Sequence, residues 1–316
     1  MKPPHLTPQQ REKLGQLEPK LRSAVKRGNY LEAKNFVYEI QLILRPTGHE
    51  TRLMQAKNWL FEAALEAGEI EIAISGFTGI RSKTSKSTRI YLEATALLAI
   101  CHLRKGITEK AMPLMAEVLK NESLIKSPKR RRDFKLNVIQ RFEEESALAS
   151  FRGKYRERFN PEELQNEAGK LIQVNTTDEE LYTSIGKHTP QETKSLILNI
   201  ELFSRKQLPK GDLKLLHSPE DRIKDEVVGK TIFHSIQRVI WKSLCDPNSD
   251  IYKTWMNNGL RIVLNKFYIG SAITTMLADL GLGVKAIAVP IIALIIKFGI
   301  EVYCDRFKPS GIMLDL

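Results

Sequence analysis

Missing from this chain are the short signatures that usually make a function readable. There is no Cys-x-x-Cys and no His-Glu-x-x-His, so neither a zinc ribbon nor a zinc protease is indicated. The three cysteines, Cys101, Cys245 and Cys304, are odd in number and far apart. That pattern argues against a secreted disulfide scaffold and for a reducing, cytoplasmic compartment. The histidines (His5, His49, His102, His188, His217 and His234) are scattered without ligand spacing, and no metal or cofactor is expected. The start, Met1-Lys2-Pro3-Pro4-His5, has no apolar core and does not read as a signal peptide. No convincing run of alternating β-branched residues is closed by an Asn-Gly or Asp-Gly turn. The expected fold class is all-α.

What the chain does have is positive charge, placed unevenly. Of its 49 Lys and Arg against 37 Asp and Glu, most of the excess falls in the first 150 residues. Such an imbalance favours acidic partners, nucleic acid or an anionic membrane, and says nothing about fold. Its densest point is Lys126, Lys129, Arg130, Arg131, Arg132 and Lys135, at the start of a charged helix opened by Ser127-Pro128. Phosphate meets both cations and the helix dipole in such a place. Phe151, Tyr155 and Phe159 follow as candidates for stacking on bases.

Gly-x-x-x-x-Ala is written three times, at Gly28–Ala33, Gly68–Ala73 and Gly106–Ala111. A glycine at this position ends one helix in a left-handed turn, and the alanine packs the next helix against the first. Residues three and four before each glycine are Val25/Ala24, Leu65/Ala64 and Leu103/His102, one facing stripe at helical spacing. Four residues past each alanine stand Val37, Phe77 and Met115. The register Gly28-Asn29-Tyr30-Leu31-Glu32-Ala33 resembles the turn and second-helix start of tetratricopeptide repeats, over about residues 8–125. The copies lie 40 and 38 residues apart, longer than the family's period of about 34, which implies lengthened helices or loops. The resemblance implies a helical-hairpin array that docks a protein partner.

Further helix starts are legible as a polar cap, a proline and then an acid or amide. They occur at Thr7-Pro8, Asn160-Pro161, Thr189-Pro190 and Ser218-Pro219, with a capping box at Thr177–Glu180. Three regions follow: helical repeats over 1–126, a basic helix and short-helix connector over 127–216, and an apolar helical domain over 217–316. In the last, Val227, Val228, Ile232, Phe233, Ile236, Val239, Ile240 and Leu244 form a stripe that must be buried. The apolar stretch 267–304 is broken at Gly281-Leu282-Gly283 into a hairpin. Its second arm carries Ile287, Val289, Pro290, Ile291, Ile292, Leu294, Ile295 and Ile296. Eleven clean positions between Lys285 and Lys297 suit a buried core helix better than a span of about twenty residues. A membrane-lying segment whose lysines snorkel is the alternative.

Two phosphate-like motifs are expected to be structural. Gly281-Leu282-Gly283-Val284-Lys285-Ala286 lacks the βαβ surroundings of a dinucleotide site. Gly229-Lys230-Thr231 has Lys224 where a phosphate loop needs its first glycine. The functional expectation is a non-enzymatic, cytoplasmic interaction protein. Its repeats would dock a protein partner and couple it to the apolar carboxyl-terminal domain, as in a bacterial defence-type effector that associates conditionally with a membrane. The alternatives are a nucleic-acid-binding accessory protein that uses the basic half, and an enzyme with a non-local site in 217–316.

Overall fold

Glycine corners at hydrogen-bonded helix ends set out the first 121 residues. At Gly28, Gly68 and Gly106 the backbone takes φ of 64°, 89° and 74°. Each glycine N–H donates to the carbonyl three residues back (Val25, Leu65, Leu103), and the next N–H to the one five back (Ala24, Ala64, His102). These are the same residues that carry the facing stripe. The two bonds satisfy carbonyls that a helix end would otherwise leave bare, and only glycine reaches this conformation without steric cost. Gly48 makes a fourth corner of the same kind, with its own N–H on Arg45 and that of His49 on Leu44.

The computed structural model describes residues 3–121, 124–151, 160–247, 249–253, 272–274, 277 and 284–307. The fold is all-α, with no strand among the described residues. Two compact units divide within one helix. The first is Met1–Ile139 and the second Gln140–Pro309, where the sequence reading draws three segments.

In the first unit the helices come as hairpins: α1 (Pro8–Lys26) with α2 (Tyr30–Leu44), α3 (Glu50–Ala67) with α4 (Ile70–Lys83), and α5 (Arg89–Arg104) with α6 (Thr108–Lys120). Each packs on its chain neighbour, and α3 also meets α1 and α5. The alanines of the motif, Ala33, Ala73 and Ala111, are fully buried, as close helix approach requires. α5 is buried along nearly its whole length. Its Glu93 takes Arg89 Nε at 2.6 Å, Gln55 Nε2 at 3.1 Å and Asn58 Nδ2 at 3.3 Å. α7 (Pro128–Phe151) carries the boundary between the units.

The second unit holds α8 (Pro161–Gln173), α9 (Asp178–His188), α10 (Gln191–Gln207), a 3-10 turn (Lys210–Leu215), α11 (Pro219–Arg222) and α12 (Asp225–Leu244). α13 (Lys285–Phe298) and α14 (Ile300–Arg306) complete it. Thr7 and Thr177 make full capping boxes, and Asn160 and Ser218 accept first-turn N–H groups. Thr189 departs from its expected role. Its hydroxyl donates back to the Ile185 carbonyl at 2.8 Å, and α10 starts at Gln191 with no side-chain cap. The helix expected to run from Ser218 is also interrupted, because Lys224 takes an extended conformation before α12.

α9 and α12 cross at backbone contact. A Cβ on Gly186 would lie 1.8 Å from the Asp225 carbonyl oxygen, and one on Gly229 1.8 Å from that of Tyr182. α13 is the apolar centre of this unit and packs against α8 and α9. It runs through Pro290 without interruption. At its start Lys285 Nζ stands 2.5 Å from Glu163 and 2.8 Å from Glu167. At its end Lys297 Nζ stands 2.5 Å from Asp178 and donates to the Thr176 carbonyl at 2.8 Å. A disulfide joins Cys245, at the end of α12, to Cys304 in α14, and buried Cys101 takes no part in it. Distance along the chain was therefore a poor guide to pairing: 59 residues of separation close to a single bond.

Candidate docking surfaces

α2 is apolar on two opposite sides. Ala33, Val37, Ile40 and Leu44 face the core. Leu31, Tyr38 and Leu42, at 71%, 63% and 59% exposure, face solvent. With exposed Asn35 they keep a 4-3-4 spacing, one straight stripe of the kind that seats against a second helix. At 100° per residue, Leu31 and Ala33 lie about 200° apart. Scattered exposed apolar residues need no explanation. Here the repeat supplies its own control: the matching positions are Glu71, Ser75, Thr78 and Ser82 in α4, and Glu109, Pro113, Ala116 and Lys120 in α6. The hairpin fold therefore does not require an apolar outer face, and only α2 has one.

A second feature lies between α3 and α4. Met54, Lys57 and Phe61 line one wall of a groove of about 500 Å³, and Ile72, Ser75, Gly76, Gly79, Ile80 and Lys83 line the other, with Glu71 at the end. Two glycines inside a helix keep it open. A Cβ on Gly76 would lie 2.2 Å from the Phe61 ring, whereas one on Gly79 meets nothing within 4 Å. The Phe61 ring stands edge-on to buried Phe77 at 6.0 Å. Burial pushes the Lys57 ammonium below its ordinary value, and the nearby charges of Arg45 and Lys83 add to that against a smaller opposing pull from Glu50.

The basic cluster at the start of α7 is not uniformly available. Lys126, Lys129, Arg130 and Arg132 are exposed. Arg131 is half-buried, and its Nε donates to the Ile125 carbonyl at 3.1 Å. Lys135 is 3% exposed, so the structure withdraws it from any phosphate contact: it lies on the inward side of its helix. Phe151 is fully buried and cannot stack on a base. Tyr155 and Phe159 lie outside the described residues.

In the apolar stretch, Ile287, Val289, Pro290, Ile291, Ile292, Leu294 and Ile295 are buried and Ile296 is half-buried. The first arm of the expected hairpin and the glycines of Gly281-Leu282-Gly283 lie almost wholly outside the described residues. No single helix among those described is long and apolar enough to cross a membrane. The pair α13 and α14 passes only together, bent by 92° at Gly299.

Gly229-Lys230-Thr231 is committed to other partners. Gly229 seats the Tyr182 carbonyl, Lys230 pairs with Glu226 at 2.6 Å, and Thr231 accepts from Arg222 at 2.9 Å. His102, one of the histidines scattered without ligand spacing, is part-buried in α5. Its Nδ1 has no partner among the described residues, and burial lowers its pKa. No group of three metal-ligating residues converges among the described residues.

Sequence reasoning missed a buried, strongly perturbed carboxylate cluster. Arg222, 3% exposed, donates through Nη2 to Glu143 at 2.5 Å, and its Nε lies 2.5 Å from Glu201. Arg222 draws the Glu143 carboxyl down, but burial outweighs it. With Glu201 and Glu144 adding negative charge, the Glu143 pKa is raised to about 8. This cluster ties α7, α10, α11 and α12 together in the interior, where it serves packing.

No protein-family model, curated protein or solved structure matches this chain.

Proposed function

We propose that this chain is a non-enzymatic docking protein. Its amino-terminal helical hairpins, TPR-like in their glycine corners, receive a helical segment of a protein partner on the outer stripe of α2. The observation that carries this reading is Leu31, Asn35, Tyr38 and Leu42 standing in line where the two equivalent helices are polar or small. Three large exposed apolar side chains on one helix face, interrupted by Asn35, are the kind of feature that marks an interaction site. The exposed stripe of α2 is apolar and the exposed start of α7 is cationic, whereas the carboxylates Glu143 and Glu201 are buried in the second unit. That distribution suits binding rather than reaction. The apolar side chains of α13 are spent within the second unit, which favours a core role over a membrane-acting one.

The test places a photo-crosslinking benzoyl-phenylalanine at Tyr38 in the full chain, in its native cell. The equivalent substitution at Thr78 of α4 is the control. A discrete cross-linked polypeptide at position 38, absent at 78 and lost in Leu31→Ser/Leu42→Ser, supports the reading. Equal labelling at both positions ends it.

A second reading, contact with nucleic acid, is favoured by the exposed Lys126, Lys129, Arg130 and Arg132. It requires an affinity for duplex that falls steeply with salt and drops when Lys129, Arg130 and Arg132 become alanine.

A further inference from the structure

The groove between α3 and α4 is a separate surface from the α2 stripe, and it has a polarity of its own. Along α4, Ile72 to Lys83 covers about 17 Å at 1.5 Å per residue. At the Lys83 end, Lys57, Lys83 and Arg45 come together. Neither Lys57 nor Lys83 makes an ion pair with any described residue. Burial, and after it the charges of Arg45 and Lys83, hold the Lys57 ammonium below its ordinary value. At the other end Glu71 is paired with Lys105. Between the ends lie the Phe61 ring, Ile80 and the open space over Gly79.

A part-buried ammonium with two cations near it and no ion pair of its own is disfavoured beside an apolar floor, and a carboxylate brought by a ligand relieves that cost. The trough is open to solvent, because Ile72, Ser75 and Lys83 are exposed. A small molecule needs enclosure on most of its surface. A chain segment that lies along a helix pair does not.

We infer that this groove binds an acidic, apolar segment of a partner protein, with its carboxylates at Lys57 and Lys83 and its apolar side chains over Phe61, Gly79 and Ile80. The segment runs with its acidic end away from Glu71. Each of these two surfaces can bind without the other, so the Tyr38 cross-link and the test below succeed or fail separately.

The test pans a random dodecapeptide phage library on the immobilised full chain and counter-selects on Gly79→Leu, which fills the groove. Lys83→Glu serves as a second variant, and unchanged melting of both variants shows that the fold is kept. The expected enrichment is Asp or Glu beside paired apolar residues. Synthetic copies should bind in fluorescence anisotropy and lose at least tenfold in affinity in Lys83→Glu and in Gly79→Leu. Selection of basic or uncharged peptides overturns the proposal, as does no enrichment over the Gly79→Leu background. If only decanoate, offered as a small anionic amphiphile, occupies the groove, the occupant is not a protein segment and the proposal fails.

Discussion

The two units solve the same packing problem by different means. The first repeats a local device: a helix, a glycine corner whose two N–H groups close on the helix just finished, and an alanine that seats the next helix. The second relies on unique long-range matches. They are a backbone crossing at Gly186 and Gly229, a disulfide across 59 residues, an Arg222–Glu143 pair across 79 positions, and lysines at both ends of an apolar helix. Local devices are forgiving, since each hairpin carries its own corner. Unique matches concentrate stability in a few places. The buried carboxylates show the same contrast. Burial raises both Glu93 and Glu143. Glu93 is answered by Arg89, Gln55 and Asn58, whereas Glu143 shares Arg222 with Glu201 and has Glu144 beside it.

This contrast is open to experiment, and the largest effect should come from the disulfide. Closing a loop of 59 residues lowers the entropy of the unfolded chain by about 4 kcal/mol at room temperature. Reduction, or Cys304→Ser, should lower the urea midpoint of the second unit by a matching amount and leave the first unchanged. Thiol counting under denaturing, non-reducing conditions should find one thiol, that of Cys101. Three free thiols would remove the disulfide from the account.

Next comes Gly229→Leu, which forces α9 and α12 apart and should cost about 3 kcal/mol. Gly76→Ala in the first unit should cost less, because the Phe61 ring can swing into the groove. If the two substitutions cost the same in chemical denaturation, the claim that stability is concentrated in the second unit fails.

A third effect is a pH slope. The folded-state pKa of Glu143, about 8, lies above its ordinary 4.5. Its contribution is therefore whole below 4.5 and is lost as pH rises through about 8. Glu143→Gln keeps the shape of the side chain and should flatten stability against pH across that window. An unchanged slope would assign the titration to another group.

The smallest effect has the opposite sign. Gly79→Ala meets no atom within 4 Å and should stabilise α4 by about 0.5–1 kcal/mol through helix propensity, read as a small rise in Tm. A loss would mean that the groove is not open as described.

What could be read from the sequence follows the same division. The corners at Gly28, Gly68 and Gly106 and the caps at Thr7, Asn160, Thr177 and Ser218 depend on neighbours within five residues, so a local pattern identifies them. The α2 stripe was also within reach, because comparing Leu31, Tyr38 and Leu42 with Glu71, Thr78 and Ser82 needs only the repeat register. So was the groove, since Gly76 and Gly79 inside one helix ask for a reason. The Cys245–Cys304 bond, the Gly186–Gly229 crossing and the Glu143–Arg222 cluster were not, because each joins helices whose meeting no local spacing specifies. Lys135 shows the reverse error: a run of cations read as one surface is wound by the helix around several sides, and one of them is the interior.

The two apolar sides of α2 leave this helix with a choice of orientation that its counterparts do not have. Rolled by half a turn, it would offer the module Leu31, Asn35, Tyr38 and Leu42 at the same 4-3-4 intervals. Volume opposes the roll, since fully buried Ala33 sits where the reversed helix would bring Leu31. Polarity opposes it too, since the Asn35 amide would take the place of buried Val37. Ala33→Leu removes the first of these distinctions and leaves one amide to keep the inside of α2 from its outside.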